Sequence, residues 1–307
     1  MAIKCSINKK FNGYTCFSDE QLDAIVRAYA RHSGGAGLEK LPTSQARYNA
    51  LIKQLRITSG DEREILRKSF MYSIKEVDKE LYYDIMLNTF APKAPQCCPS
   101  YNDSPTCCPW LSNFDIMRIM FQYQKKYPRF LFLDAPSSDF KEHDIYQMSR
   151  SHFNYREIAK NYDQFAAVIN LDLRHEGGSH WVALFCDIPS HSIYFFDSTG
   201  HSPYYKTHEE PYIVQFMLEV ASEMTSTDCS KLDLRKKVQR GIDGHVAPNL
   251  RILINRFQHQ KGNTECGVYS IYTIAKLLEG KDFIKHCREI VPDKEMAKRR
   301  AEFFNAK

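Results

Sequence analysis

The segment Gln260-Lys-Gly-Asn-Thr-Glu-Cys266-Gly267 is a polar, glycine-containing loop that runs into an apolar helical pattern. A cysteine at that junction sits at a helix N-terminus, where unpaired backbone N–H groups and the positive end of the helix dipole stabilise a thiolate. The same N–H groups can bind an oxyanion. Gly267 permits close approach of backbone, and Gln260, six positions before the cysteine, offers a side-chain amide to a tetrahedral intermediate. A lone cysteine reads first as a buried structural thiol, because free cysteine is among the most buried residue types, and the loop-to-helix placement with Gln260 and Gly267 nearby weakens that reading without defeating it.

A thiolate that cleaves amides also needs a base. Gly177-Gly178-Ser179-His180-Trp181 sets a histidine where a flexible loop enters an apolar strand. Asp197 closes the next strand, Ile193 to Phe196, ahead of the turn Ser198-Thr199-Gly200. If those strands are adjacent and antiparallel, His180 and Asp197 emerge at the same sheet end. Each residue alone has a bland explanation, a surface histidine and a turn-forming aspartate. Together, His180, Asp197, Gln260 and Cys266, each at an element end, follow the nucleophile, base and orienter logic of a catalytic triad with cysteine as nucleophile.

The elements that must hold these groups are legible in the hydrophobic pattern. Phe130 to Leu133, Ala166 to Leu171, His180 to Cys186, Ser192 to Phe196 and Arg251 to Ile254 are short apolar runs bounded by Gly, Pro, Ser or Asp, as buried strands are. Helices are predicted after Asn113 as cap, with Ile116, Ile119, Met120 and Tyr123 on one face and Pro128 following its end, at Pro211 to Met224 and at Gly267 to Leu278, the last stopped by Gly280. The spacing before residue 91 predicts three short amphipathic helices, beginning near Ser18 with a Ser18/Gln21 capping box, at Ser44 and at Asp61. Three such helices bury little area by themselves, so they are expected to dock on something else. Between these blocks, residues 91–109 hold five prolines and the pairs Cys97-Cys98 and Cys107-Cys108. The expected organisation is a helical arm over 1–95, a Pro/Cys-rich linker over 96–109 and an α/β or α+β domain over 110–307.

The order His, Asp, Gln, Cys and its separations resemble the ubiquitin-like-protein (SUMO) proteases and the adenovirus-type and African swine fever virus-type viral cysteine proteases. His180-Trp181, Asp197-Ser198 and Gln260 with Cys266-Gly267 carry the likeness, with Trp110-Leu111-Ser112-Asn113 and Val168-Ile169-Asn170 as further landmarks. Arg256-Phe-Gln-His-Gln260, Thr264-Glu265-Cys266-Gly267 and Tyr269-Ser270 point to the swine fever virus branch, whose members carry a helical N-terminal arm. Asp197 departs from that branch, which has asparagine there, and follows the cellular SUMO proteases. The resemblance spans roughly residues 110 to 285. It implies a papain-like core with a mixed sheet flanked by helices, no cofactor, and cleavage at glycine-rich Gly-Gly-X sites through a narrow channel. Asn170, Trp181 and Gly267 are the implied substrate-binding residues.

Three functional classes follow. One is a viral endopeptidase that cuts structural polyproteins during virion maturation. A second is a deSUMOylating or deubiquitinating isopeptidase acting on host proteins. The third, a catalytically idle module binding nucleic acid or capsid protein, is disfavoured by the complete set of four catalytic-type residues. A normal balance of 43% hydrophobic and 26% charged residues excludes disordered and fibrous classes. No apolar run is long enough to span a membrane, and no secretory signal is legible, so host cytoplasm and virion are the expected locations and the ten cysteines are expected to be reduced. The paired cysteines lack the spacing of common zinc sites, and no metal is expected. The Asp-Leu-Arg-Lys-Lys-Val-Gln-Arg run ending at Arg240, and Lys298-Arg299-Arg300, read as solvated basic surface, with contact to DNA as the accessory alternative.

Overall fold

The structure is a computed structural model, and it describes residues 5–7, 9, 11–33, 37–57, 62–69, 72–95, 110–204 and 211–305. The expected linker, with both Cys-Cys pairs, lies outside the described residues. The chain divides into two units, one of Met1–Ala94 with Phe303–Lys307 and one of Pro95–Glu302.

Among its described residues the first unit has five α-helices where three are expected: α1 (Asp19–Ser33), α2 (Ser44–Leu55), α3 (Glu62–Lys68), α4 (Tyr72–Val77) and α5 (Lys79–Asn88). The Ser18/Gln21 capping box forms as read, each residue bonding the other's backbone N–H. The two extra helices are short, and α5 is nucleated by Asp78, which accepts from the Leu81 N–H. Contrary to the expectation of little burial, these helices enclose a core of their own, with Leu22, Ile25, Leu51, Ile65 and Ile85 almost fully buried. A disulfide joins Cys5 to Cys16 in this unit, so the expectation of reduced thiols throughout is corrected. The chain turn over Asn12 to Thr15 brings the two cysteines within bonding reach.

The second unit is built on a seven-stranded mixed sheet in the order β1-β2-β3-β4-β7-β6-β5. The strands are β1 (Phe130–Asp134), β2 (Gln164–Asn170), β3 (Trp181–Asp187), β4 (Ser192–Phe196), β5 (Lys237–Gln239), β6 (Ile242–Ala247) and β7 (Leu250–Asn255). The helices are α6 (Asn113–Lys126), α7 (Tyr155–Asn161), α8 (Tyr212–Thr225), α9 (Cys266–Leu278), α10 (Phe283–Arg288) and α11 (Asp293–Phe303). The N-cap of α6 is Ser112 rather than the expected Asn113, because Ser112 and Asp115 form a reciprocal capping box. β2 and β3 are buried on both faces, which is why each reads as a continuous apolar run. β5 and β6 escape sequence reading: β6 carries Asp243, Gly244 and His245, and Gly244 adopts φ +133° where a Cβ would lie 1.9 Å from the Ile252 carbonyl oxygen.

α9 is the central helix. Every residue of it except Lys276 is buried, so it is apolar on all sides rather than striped. Each Val, Ile or Leu buried there contributes about 1.5–3 kcal/mol. Its C-terminus closes in a Schellman motif, with Gly280 at φ +85°, Gly280 N–H donating to Leu277 O and Lys281 N–H to Lys276 O.

Candidate active site

Sheet topology brings the candidate groups to one edge. β3 and β4 pair antiparallel with Ala183 opposite Phe196, so the residue before β3, His180, and the residue after β4, Asp197, emerge side by side. β7 lies parallel to β4 with Ile254 beside Phe195, so its exit, the loop 256–265, leaves at that edge and leads directly into Cys266 at the start of α9. Two features lock the loops together. Asn255, fully buried, donates its amide to Asp197 O at 2.8 Å and to Phe257 O at 2.9 Å. Gly200 holds φ +75°, and a Cβ there would meet three backbone atoms of 256–258 at 3.0 Å, so only glycine fits the crossing.

His180 and Asp197 make a hydrogen bond of 2.7 Å between Nε2 and Oδ1, and Cys266 also acts on the same imidazole. Burial by itself would lower the His180 pKa, but its interactions with Asp197 and Cys266 outweigh it and carry the imidazole up to about 10. His180 is therefore an imidazolium at neutral pH. Asp197 is 1% exposed, and its Oδ1 also accepts from the Thr199 N–H at 2.8 Å and the Thr199 hydroxyl at 2.7 Å, which fixes the carboxylate in place. Cys266 is 3% exposed at the N-terminal turn of α9, where backbone N–H groups are left without helical partners. A thiol between an imidazolium and a helix N-terminus is suited to nucleophilic attack and to stabilising an oxyanion.

Gln260 is buried and held on both sides. Its Oε1 accepts from Ser198 Oγ at 2.6 Å, and one Nε2–H donates to Gly262 O at 3.0 Å, leaving the second amide hydrogen for another acceptor. Of the expected substrate-binding residues, Asn170 and Trp181 line a groove of 430 Å³ together with Trp110, Leu111 and Gly178, whereas Gly267 does not line it. Trp181 donates its indole N–H to Leu111 O at 2.9 Å. Gly267 packs on Leu111, where an added Cβ would approach the leucine Cβ to 3.1 Å. Asn170 braces the approach to His180: its Oδ1 accepts from Asp172 N–H at 3.0 Å and from Ser179 N–H at 3.4 Å, and Gly178, at φ +79°, lies against its amide.

Several supporting residues carried no sequence signal. Asn255 is a lone polar residue at a strand end. Asp293 accepts from the Lys261 and Gly262 N–H groups at 3.0 and 2.8 Å and from the Tyr269 hydroxyl at 3.2 Å, steadying the loop before Cys266. Behind α9, His259 and His286 are buried, with His259 bonded to Cys287 O and His286 to the Thr273 hydroxyl. The basic run Lys298-Arg299-Arg300 is not a solvated patch. Arg300 turns inward to Glu265, Arg299 stacks on Tyr272 while paired with Glu302, and Lys298 pairs with Glu295. By contrast Arg235, Lys236, Lys237 and Arg240 are exposed. Among the described residues no group of His, Cys, Asp or Glu is placed to hold a metal ion, and no helix is long and apolar enough to cross a membrane.

Residues 117–306 match the Ulp1 protease family, C-terminal catalytic domain. The R355 protein of Acanthamoeba polyphaga mimivirus, named for thiol protease activity, is 27% identical over 288 residues, covering 88% of this chain and 82% of its own. A protein of African swine fever virus (isolate Pig/Kenya/KEN-50/1950), named a SUMO-1 cysteine protease, is 24% identical over 207 residues, covering 63% of this chain and 67% of its own. A crystal structure of an African swine fever virus protease superposes with a TM-score of 0.60 at 18% identity, over 99% of this chain and 96% of that one, a likeness of fold.

Proposed function

Because the chain belongs to the Ulp1 protease family and is a cysteine protease, we propose that it is a viral processing endopeptidase that cuts structural polyproteins at Gly-Gly-X-type sites during virion maturation. In this reading Cys266 is the nucleophile, His180 the proton carrier, Asp197 its orienter and Gln260 an oxyanion donor. The Cys266 thiolate attacks the scissile carbonyl carbon, and the oxyanion forms against the free Gln260 N–H and the start of α9. With Nε2 engaged by Asp197, Nδ1 of the His180 imidazolium gives its proton to the leaving amine, and a thioester remains on Cys266. The neutral imidazole then takes a proton from water, which attacks the thioester, releases the carboxylate product and restores the ion pair. His180 thus acts as acid first and as base second.

The observation that carries the glycine preference is the wall shared by the groove and the catalytic edge. Trp181 follows His180 and Leu111 packs on Gly267, so a substrate chain reaching the sulfur passes between rigid apolar groups held by the Trp181–Leu111 bond. An extended backbone fits such a passage and side chains at the scissile residues do not. Particle maturation is supported by the viral origin of both relatives, and action in host cytoplasm and virion accords with it. A second reading, removal of a ubiquitin-like protein from host targets, is favoured by the name of the swine fever virus relative. Incubating the full-length protein with a Gly-Gly-X peptide and with SUMO and ubiquitin fusions tests both. Cleavage of the peptide after the second glycine, with the fusions left intact, supports processing. Release of either fusion partner with the peptide untouched moves the assignment to deconjugation, and cleavage of none removes the glycine preference.

A further inference from the structure

The residue that caps α9 is Glu265, which adopts φ −104°, ψ 2° and makes no side-chain cap bond to the helix. The start of the helix that carries the nucleophile is therefore not held in the usual way. Its side chain points instead to α11. Arg300 Nε donates to Glu265 Oε2 at 2.8 Å and Arg300 Nη2 to Thr264 O at 3.1 Å, with the two side chains only 10% and 4% exposed. One guanidinium thus grips both residues that precede Cys266, through a carboxylate and through backbone.

The placement raises an electrostatic problem as well as a geometric one. A buried carboxylate on the residue next to Cys266 opposes both the thiolate and the oxyanion that follows it, and low-dielectric surroundings magnify the effect. The other charged groups of the edge are already committed: Asp197 to His180, and Asp293 to the Lys261 and Gly262 N–H groups. Arg300 is the cation within bonding distance of Glu265.

Resting on the reading of Cys266 as nucleophile, we infer that Arg300 is a positioning residue for the reaction. It anchors the Thr264-Glu265 step that aims Cys266 at His180, and it cancels the Glu265 charge beside the sulfur. The two roles separate by substitution. Arg300→Met removes both, and a double variant with Glu265→Gln removes the uncompensated charge again while leaving the anchor missing.

The test uses the full chain with a Gly-Gly-X peptide, together with the rate at which iodoacetamide alkylates Cys266 at pH 7. Arg300→Met is expected to lower kcat at least tenfold with KM unchanged and to slow alkylation by a similar factor. Adding Glu265→Gln is expected to restore most of the alkylation rate, and Arg300→Lys, which keeps the charge, to retain it. A structural role alone predicts no such rescue. Wild-type kcat in a folded Arg300→Met protein, a KM effect without a kcat effect, or a double variant as slow to alkylate as Arg300→Met would overturn the inference. Should Arg300→Met fail to fold, the folded Arg300→Lys and double variants carry the same comparison. If instead Cys266→Ala keeps full activity, the nucleophile assignment itself fails, which is a separate result from loss of the Arg300 effect.

Discussion

Two histidine environments in this unit, one partly buried and one fully buried, titrate in opposite directions. His180 faces Asp197 and Cys266 and is carried up to about 10. His259 and His286, stacked on each other behind α9, are pushed down by burial to about 4 and about 3. Burial acts the same way on all three, disfavouring the imidazolium. The difference is the partner: His180 meets anionic groups, whereas His259 bonds a backbone carbonyl and His286 a hydroxyl. His180 is carried up by the groups that face it, against a burial that lowers all three.

The comparison is broken most severely at the sulfur. Cys266→Ala should abolish peptide hydrolysis in a protein that still melts cooperatively, and His180→Ala should lower kcat about 10³-fold or more, since His180 is the one base this reading assigns. Turnover persisting in either folded variant would mean that the reactive pair lies elsewhere. Gln260→Ala should lose about 3 kcal/mol of transition-state stabilisation, seen as a fall in kcat at nearly constant KM, because one amide hydrogen is left for the oxyanion. A rise in KM at normal kcat would reassign Gln260 to substrate recognition.

Asp197→Asn should be milder, roughly tenfold in kcat, because an amide oxygen can accept the bonds from His180 and Thr199 that the carboxylate now accepts. The same change removes the negative charge that raises His180, so the alkaline limb of the activity profile should move to lower pH. An unmoved limb would show that Cys266 alone sets it.

The smallest effect separates the two environments by stability. An unfolded histidine titrates near pH 6.5. For His180 the folded value is higher, so its contribution is complete below pH 6.5 and is lost as pH rises through about 10. For His259 and His286 the folded values are lower, so stability is complete above pH 6.5 and falls as pH drops towards about 4. His286→Gln keeps a bonding partner for Thr273 and should flatten the decline of Tm between pH 6.5 and 4 without altering kcat at neutral pH. A variant whose Tm falls as steeply as the wild type's would deny His286 any share in acid unfolding.

Legibility in the sequence followed the same division between pattern and partner. Strands buried on both faces and the all-apolar α9 announced themselves, because burial on every side leaves an unbroken apolar run. His180, Asp197, Gln260 and Cys266 were readable because each stands where an apolar run meets a polar loop. Asn255, Asp293 and Arg300 were not, because their importance lies in contacts across 58, 31 and 35 positions of chain, which no local spacing encodes. Arg300 reads as solvated surface in the sequence, since a basic run looks the same whether its last residue faces water or a buried carboxylate. The helices of the first unit were underestimated for a related reason: α4 and α5 are short and lack a wide apolar stripe, yet Ile74 and Ile85 complete a shared core.

The brace across the nucleophile loop also has a consequence in time. Cys266 leaves the ribosome before Arg300, which follows 34 positions later, a lag of roughly two to seven seconds at ordinary elongation rates. When the sulfur, the imidazole and the aspartate have all been made, the loop before α9 still waits first for the Asp293 contact and then for the Arg300 contact. The last contacts made to the nucleophile loop thus come from residues synthesised after the nucleophile itself.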